Sequence, residues 1–177
     1  MMVYKQAETV KELEQILDLQ QRNLIKNISQ AESEKEGFVT VEHSLDVLKA
    51  MNDMCGHFIA VDEQEVVGYA LCMHPKFADA IEVLRPMFHE IDKVLGGKDD
   101  YMVMGQICVA KGHRGQGVFR KLYQTMKKQL PNGFDQIITE VDAKNKRSLA
   151  AHKAVGFKPL TIYRSSEREW CVLILAR

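Results

Sequence analysis

The sequence predicts an α/β (α+β) fold, a sheet with helices on both faces. Three observations predict it. Residues 58–73 read as a β-hairpin, two apolar runs parted by the polar turn DEQE. Residues 101–141 read as strand, helix, strand, and residues 160–175 as a closing pair of short strands. The 177 residues suffice for one ordinary domain with a proper core. With no repeat, low-complexity tract or Pro/Ser-rich linker, 1–177 is expected to be a single unit.

The elements follow in order. Val3 to Gln6 is a short first strand. Thr9 and Glu12 stand at capping-box spacing, and Val10, Leu13, Ile16, Leu17 and Leu24 keep a helical period to about Lys26. NISQAESEKEG is polar and is expected as loop or frayed helix. Ser44 caps a short helix with Leu45, Leu48 and Met51 on one face. After the hairpin, Ile81, Leu84, Phe88, Ile91 and Leu95 form another helical stripe. Pro86 lies inside it, which predicts a kink or two short helices, the second opened by Pro86 and ended at Gly96-Gly97. Tyr101 to Val109 is nearly all apolar, as suits a central strand buried on both faces, and Gly105 marks a bulge. Val118, Phe119, Leu122, Met126 and Leu130 give the next helix, and Ile137 to Val141 a strand. Residues 145–155 form a helix ended by Gly156, before the last two strands, 160–163 and 170–175.

Composition narrows the function. Lys and Arg number 24, as do Asp and Glu, so the net charge is zero. Non-specific binding to nucleic acid or to an anionic membrane wants a basic excess. MMVYKQAETVKELE lacks the apolar core of a secretory signal, and no stretch approaches the roughly 18 apolar residues of a spanning helix. The expected compartment is the cytoplasm. Cys55, Cys72, Cys108 and Cys171 are far apart and form no CxxC pair; they are expected as reduced, mostly core thiols, with no metal site.

The chemistry concentrates in QICVAKGHRGQGVFRKLY, residues 106–123. A buried strand ends, glycines 112, 115 and 117 follow, and a helix begins. Such a loop lets backbone N–H groups approach phosphate oxygens at a helix N-terminus. Lys111, Arg114, Arg120 and Lys121 crowd positive charge around it. A P-loop is excluded, because Val118 and Phe119 replace its Lys and Ser/Thr; the dinucleotide fingerprint fails at Arg120.

RGQGVF (114–119) matches the acetyl-CoA pyrophosphate signature R/Q-x-x-G-x-G/A, except that bulky Phe119 replaces the last small residue. Here the sequence resembles the GNAT superfamily of acetyl-CoA-dependent N-acetyltransferases. ITEVDAKNKRSLAAHKAVGFK (138–158) is similar to that family's strand, Asn-led helix and closing Gly-Phe. The resemblance implies a mixed, mostly antiparallel sheet of six or seven strands with a V-shaped splay between two central strands. The pantetheine arm of acetyl-CoA would lie in the V beside Ile107, Cys108 and Val109, on backbone groups. The pyrophosphate would rest on the N–H groups of Arg114, Gly115, Gln116, Gly117, Val118 and Phe119, with the Phe119 side chain turned inward. Asn145 and Ser148 would complete the cofactor site, and Lys144, Lys146 and Arg147 are candidates for the 3′-phosphate. An N–H near Val109 would stabilise the oxyanion.

His152 occupies the place where many relatives carry a proton-donating tyrosine. It is the candidate general acid, a role that requires imidazolium; its alternative is packing against the cofactor. Glu140 is the candidate general base, with His74, His113 or no base at all as alternatives. The expected reaction is direct attack of a small-molecule or peptide amine in a ternary complex, with no metal. Cys108 alternates away from Ile107 and Val109 and is not expected to carry the acyl group. The alternative function is a catalytically inactive CoA-binding or sensory module. Acceptor choice is expected in residues 18–50, including Gln20, Asn23, Glu32 and Gly37 to Thr40. Glu32, Glu34 and Glu36 either attract a cationic amine or form a solvated run. The segment 76–97 either walls the acceptor pocket or supports a homodimer.

Overall fold

The computed structural model describes residues 1–36, 38–98 and 100–177. In chain order the elements are β1 (Val3–Gln6), α1 (Val10–Asn23), α2 (Gln30–Glu36), α3 (Leu45–Met54), β2 (Phe58–Asp62), β3 (Glu65–Met73), α4 (Arg85–Leu95), β4 (Tyr101–Val109), α5 (Val118–Lys128), β5 (Gln136–Asp142), α6 (Lys146–Ala154), β6 (Lys158–Ser165) and β7 (Arg168–Ala176). Local chemistry explains the boundaries. Thr9 and Glu12 close the expected capping box on α1, and the Ser44 hydroxyl accepts the Val47 N–H at the start of α3. A 3-10 turn at Glu82–Leu84 precedes α4, and Pro86 sits in the helix's first turn, where its missing N–H costs nothing. The polar stretch expected as loop or frayed helix contains the regular helix α2. None of its residues is buried, so no apolar stripe announces it.

The strands form a seven-stranded sheet in the order β1-β2-β3-β4-β5-β7-β6. All neighbours are antiparallel except β4 and β5, which run parallel. Helices cover both faces. Val118, Leu122, Tyr123 and Met126 of α5 pack on Val67, Ala70 and Cys72 of β3. Leu13, Ile16 and Leu19 of α1 join Tyr69 and Leu71 on the opposite face. Met87, Phe88 and Ile91 of α4 extend that second layer over Tyr101, Val103 and Ile138. Among the described residues no helix is long and apolar enough to cross a membrane.

One irregularity positions the site. Leu71 pairs with Gln106 and Cys72 with Met104, so Gly105 is the extra residue of a bulge in β4. A one-residue insertion exchanges the two faces of the strand beyond it. Met102 and Met104 face α5, whereas Gln106 and Cys108 face α1. The bulge also ends the parallel pairing: β4 and β5 stay in register only as far as Val103 with Ile138. Beyond that point β5 follows β7 and β4 follows β3, and the expected V opens between them.

Candidate active site

The phosphate-binding candidate lies where β4 meets α5. A 3-10 turn at Lys111–His113 leads into Gly115 (φ 76°) and Gly117 (φ 81°). Both conformations are left-handed, and a side chain at either would point into open space, so backbone geometry selects glycine here. Gly117 is the N-cap of α5 and supplies no side-chain cap. The N–H groups of the first turn of α5 are therefore not taken by a capping side chain, and the helix dipole adds to their pull on an anion. In β4, the Ala110 N–H donates to Val67 O. By alternation, the backbone groups of Ile107 and Val109 point away from β3, into the V. This donor set fits a phosphate-bearing cofactor with an amide-containing arm.

A cavity of about 340 Å³ follows these groups. Of the expected cofactor residues, Ile107, Cys108, Val109, Arg114, Gly115, Gly117, Val118, Phe119, Asn145 and Ser148 line it. Gln116 is not in its lining, and the Gln116 side-chain amide donates back to Gly112 O. Arg147 reaches the cavity; Lys144 and Lys146 do not. Asn145 caps α6 through the Ser148 N–H, which fixes both residues at the rim. The Phe119 ring turns inward as expected, edge-on to Tyr123 and His152 at 5.1 Å. The Cys108 thiol faces α1; burial pushes it up to about 11, which suits a packed thiol and not a nucleophile.

A second cavity, of about 440 Å³, opens on the far side of Ile107 and Ser148. Glu140 lies in its floor. Burial raises the Glu140 carboxyl to about 7, opposed by the hydrogen bond it accepts from the Tyr163 hydroxyl. Phe38, Val39, Val41, Val83, Leu84 and Trp170 line this cavity as well. Of the expected acceptor segment, Gly37 lies outside the described residues. Asp142 is 3.6 Å from Arg168. Neither His74 nor His113 lines this cavity; His113 is paired with Asp62. Among the described residues, no group of three His, Cys, Asp or Glu is placed to hold a metal ion.

His152 lies on α6 and lines the second cavity. Its ring is 1% exposed and held at both nitrogens, by Ser148 O on Nδ1 (2.7 Å) and the Tyr123 hydroxyl on Nε2 (2.8 Å). The carbonyl can only accept, so Nδ1 carries the proton and Nε2 accepts from Tyr123. Burial lowers the imidazole to about 4. The imidazolium that a general acid requires is therefore disfavoured. Phe119, Tyr123 and Phe157 surround the ring, which ties α5 to α6.

Comparison with known proteins agrees with this geometry. The family model for the GNAT acetyltransferases matches residues 13–157. The chain belongs to the GNAT acetyltransferase family. Its fold is shared with the ribosomal-protein-S18-alanine N-acetyltransferase of Escherichia coli, at 16% identity and a TM-score of 0.65, over 99% of this chain and 94% of that one. The NatC complex bound to Gag peptide and CoA gives 18% identity and a TM-score of 0.66, covering 99% and 98%. A GNAT acetyltransferase of Bacillus cereus gives 13% and 0.66, covering 100% and 98%. No curated protein sequence matches the chain.

Two features of this GNAT site escape the sequence. Tyr163, read there as core or cleft rim without chemistry, bonds Glu140 from two strands away. Glu32 and Glu36 neither face the acceptor cavity nor stand free in solvent. They pair with Lys111, Arg114 and Arg147 of the cofactor side. Gln20 is fully buried and braces the cleft. It donates to Gln106 Oε1 and accepts the His43 N–H, while Gln106 donates to Val41 O.

Proposed function

We propose that this GNAT protein moves the acetyl group of acetyl-CoA to a primary amine, of a small molecule or a peptide, by direct attack in a ternary complex. One observation carries the reading: the uncapped glycine turn lines one cavity and the buried Glu140 carboxyl the next, and the two cavities share Ile107, Asn145 and Ser148. Acetyl-CoA supplies the acyl group as an activated thioester. The Gly115–Gly117 turn and the first turn of α5 bind its pyrophosphate. The main-chain groups of Ile107 and Val109 orient its arm. The Val109 N–H donates to the carbonyl oxygen as negative charge develops there. Glu140, as carboxylate, takes the proton that the amine must lose, and the amine lone pair forms the C–N bond. The C–S bond breaks, and the thiolate takes a proton from water. A peptide acceptor is supported by the E. coli and NatC neighbours, whose names describe protein and peptide acceptors.

The test is a thermal melt with and without acetyl-CoA, followed by thiol release over an amine panel. Ligand at about a hundred times its Kd adds about 2.7 kcal/mol, a rise of several degrees. A rise with acetyl-CoA but none with ATP, then thiol release, is the expected result. No rise at saturation sinks the cofactor reading. A rise without thiol release over a wide panel points to a CoA-binding module that does not turn over.

A further inference from the structure

The cavity expected to hold the cofactor's phosphates carries a carboxylate in its wall. Glu36 ends α2, and its Oε2 lies 3.2 Å from Arg114 Nη1 and 3.4 Å from Arg147 Nη2. Arg147 also donates to Lys35 O at 2.6 Å. Glu32, one turn earlier, stands 3.5 Å from Lys111 and 3.9 Å from Arg114. The side chain of Arg114 is only 15% exposed, and its other donors reach Val109 O and Asn23 Oδ1. A carboxylate between two guanidinium groups makes the contacts that a phosphate oxygen would make. It also sets a negative charge against an anionic ligand in the same cavity.

α2 buries no residue, and it is held to the cofactor side by these ion pairs and by the hydrogen bond from Arg147 to Lys35 O. We propose that Glu36 competes with acetyl-CoA phosphate for Arg114 and Arg147, so that α2 is an acidic strap which cofactor binding releases. The inference rests on the acetyl-CoA reading above. Removing the strap charge tightens the cofactor, and binding the cofactor loosens the strap. Phe38 and Val39, just beyond Glu36, line both cavities.

Calorimetric titration with CoA itself, needing no acceptor, compares the natural protein with Glu36→Gln. The variant is expected to bind CoA about two- to fivefold more tightly, the range for losing a partly exposed charge contact. Its affinity should also rise more steeply as salt is lowered, because Glu36 no longer offsets the pull of the cationic side chains on the anion. Amide hydrogen exchange supplies a second reading on the unaltered protein. Amides of α2 should exchange faster with CoA bound, the reverse of ordinary ligand protection. Weaker or unchanged binding by Glu36→Gln would show that Glu36 aligns the arginines for the ligand, and would overturn the strap. Slower exchange in α2 on binding overturns it as well. If neither protein binds CoA while both keep their melting transition, the cofactor reading falls and the strap falls with it.

Discussion

Glu140 shows what a single residue owes to its surroundings. Its carboxyl titrates near 7 because burial penalises the charged form more than the Tyr163 hydroxyl favours it. A base works only as carboxylate, so the rate should rise with pH and level off above about 7. Glu140→Gln should lower kcat/KM by roughly two to four powers of ten and flatten that rise. Tyr163→Phe removes a hydrogen bond that favours the carboxylate, so the same rise should move to higher pH with the plateau largely kept. A lost plateau with an unmoved midpoint would mean that Tyr163 acts elsewhere. Strand alternation singles out Glu140 in the sequence, facing either the cleft or an exposed edge, and the structure buries it. Tyr163 was not legible: it is 23 residues away on a strand without a motif, and only the β5-β7-β6 order brings it across. His152 was legible in place but not in charge, since protonation depends on the packed rings around it and spacing does not.

Elements were legible where their own residues hold them. α1 and α3 declare themselves by apolar period and side-chain caps, α4 by its period, Pro86 and Gly96, and α5 by its period. α2 does not, because its partners are cations 75 or more residues away, as in the Glu36–Arg114 pair. Turns fail for another reason. The β2–β3 turn was readable as a polar turn, yet Glu63 and Gln64 adopt φ of 47° and 74°, and nothing in their chemistry predicts that. Two successive left-handed residues make the turn whose twist suits a hairpin, a place that favours Asn-Gly. Replacing Glu63-Gln64 with Asn-Gly should add about 1 kcal/mol and raise the melting point by about 2–4 °C. The Gln64 carbonyl that accepts from Gln15 survives the change. An unchanged or lower melting point would show that the hairpin carries no strain there.

At the scale of the whole molecule, two buried neutral histidines set the response to acid. His57 is fully buried between α3 and the C-terminal end of β3; its Nε2 bonds Leu48 O, and its Nδ1 accepts the Cys72 N–H. Burial lowers it, like His152, to about 4. A histidine depressed in the folded state contributes stability that is complete above its unfolded value of 6.5 and is lost as pH falls toward 4. Glu140 works the other way. Raised to about 7, it holds a proton in the folded protein that the unfolded chain takes up only near 4.5, so it favours the fold as pH drops across that interval. Between 6.5 and 4.5 the unfolded chain thus binds two extra protons through His57 and His152 and the folded chain one through Glu140, while His43, also lowered by burial, adds to the histidine side. The difference is at least one proton, and stability should fall by about 1.4 kcal/mol per pH unit or more on acidification. Glu140→Gln removes the opposing group, so its slope over the same interval should steepen to about 2.7 kcal/mol per pH unit or more. Urea unfolding midpoints from pH 7.5 to 4.5 measure both slopes. Equal slopes would mean that Glu140 is not protonated in the folded protein near neutral pH, and a stability maximum near pH 5 would mean that the histidines are not held neutral.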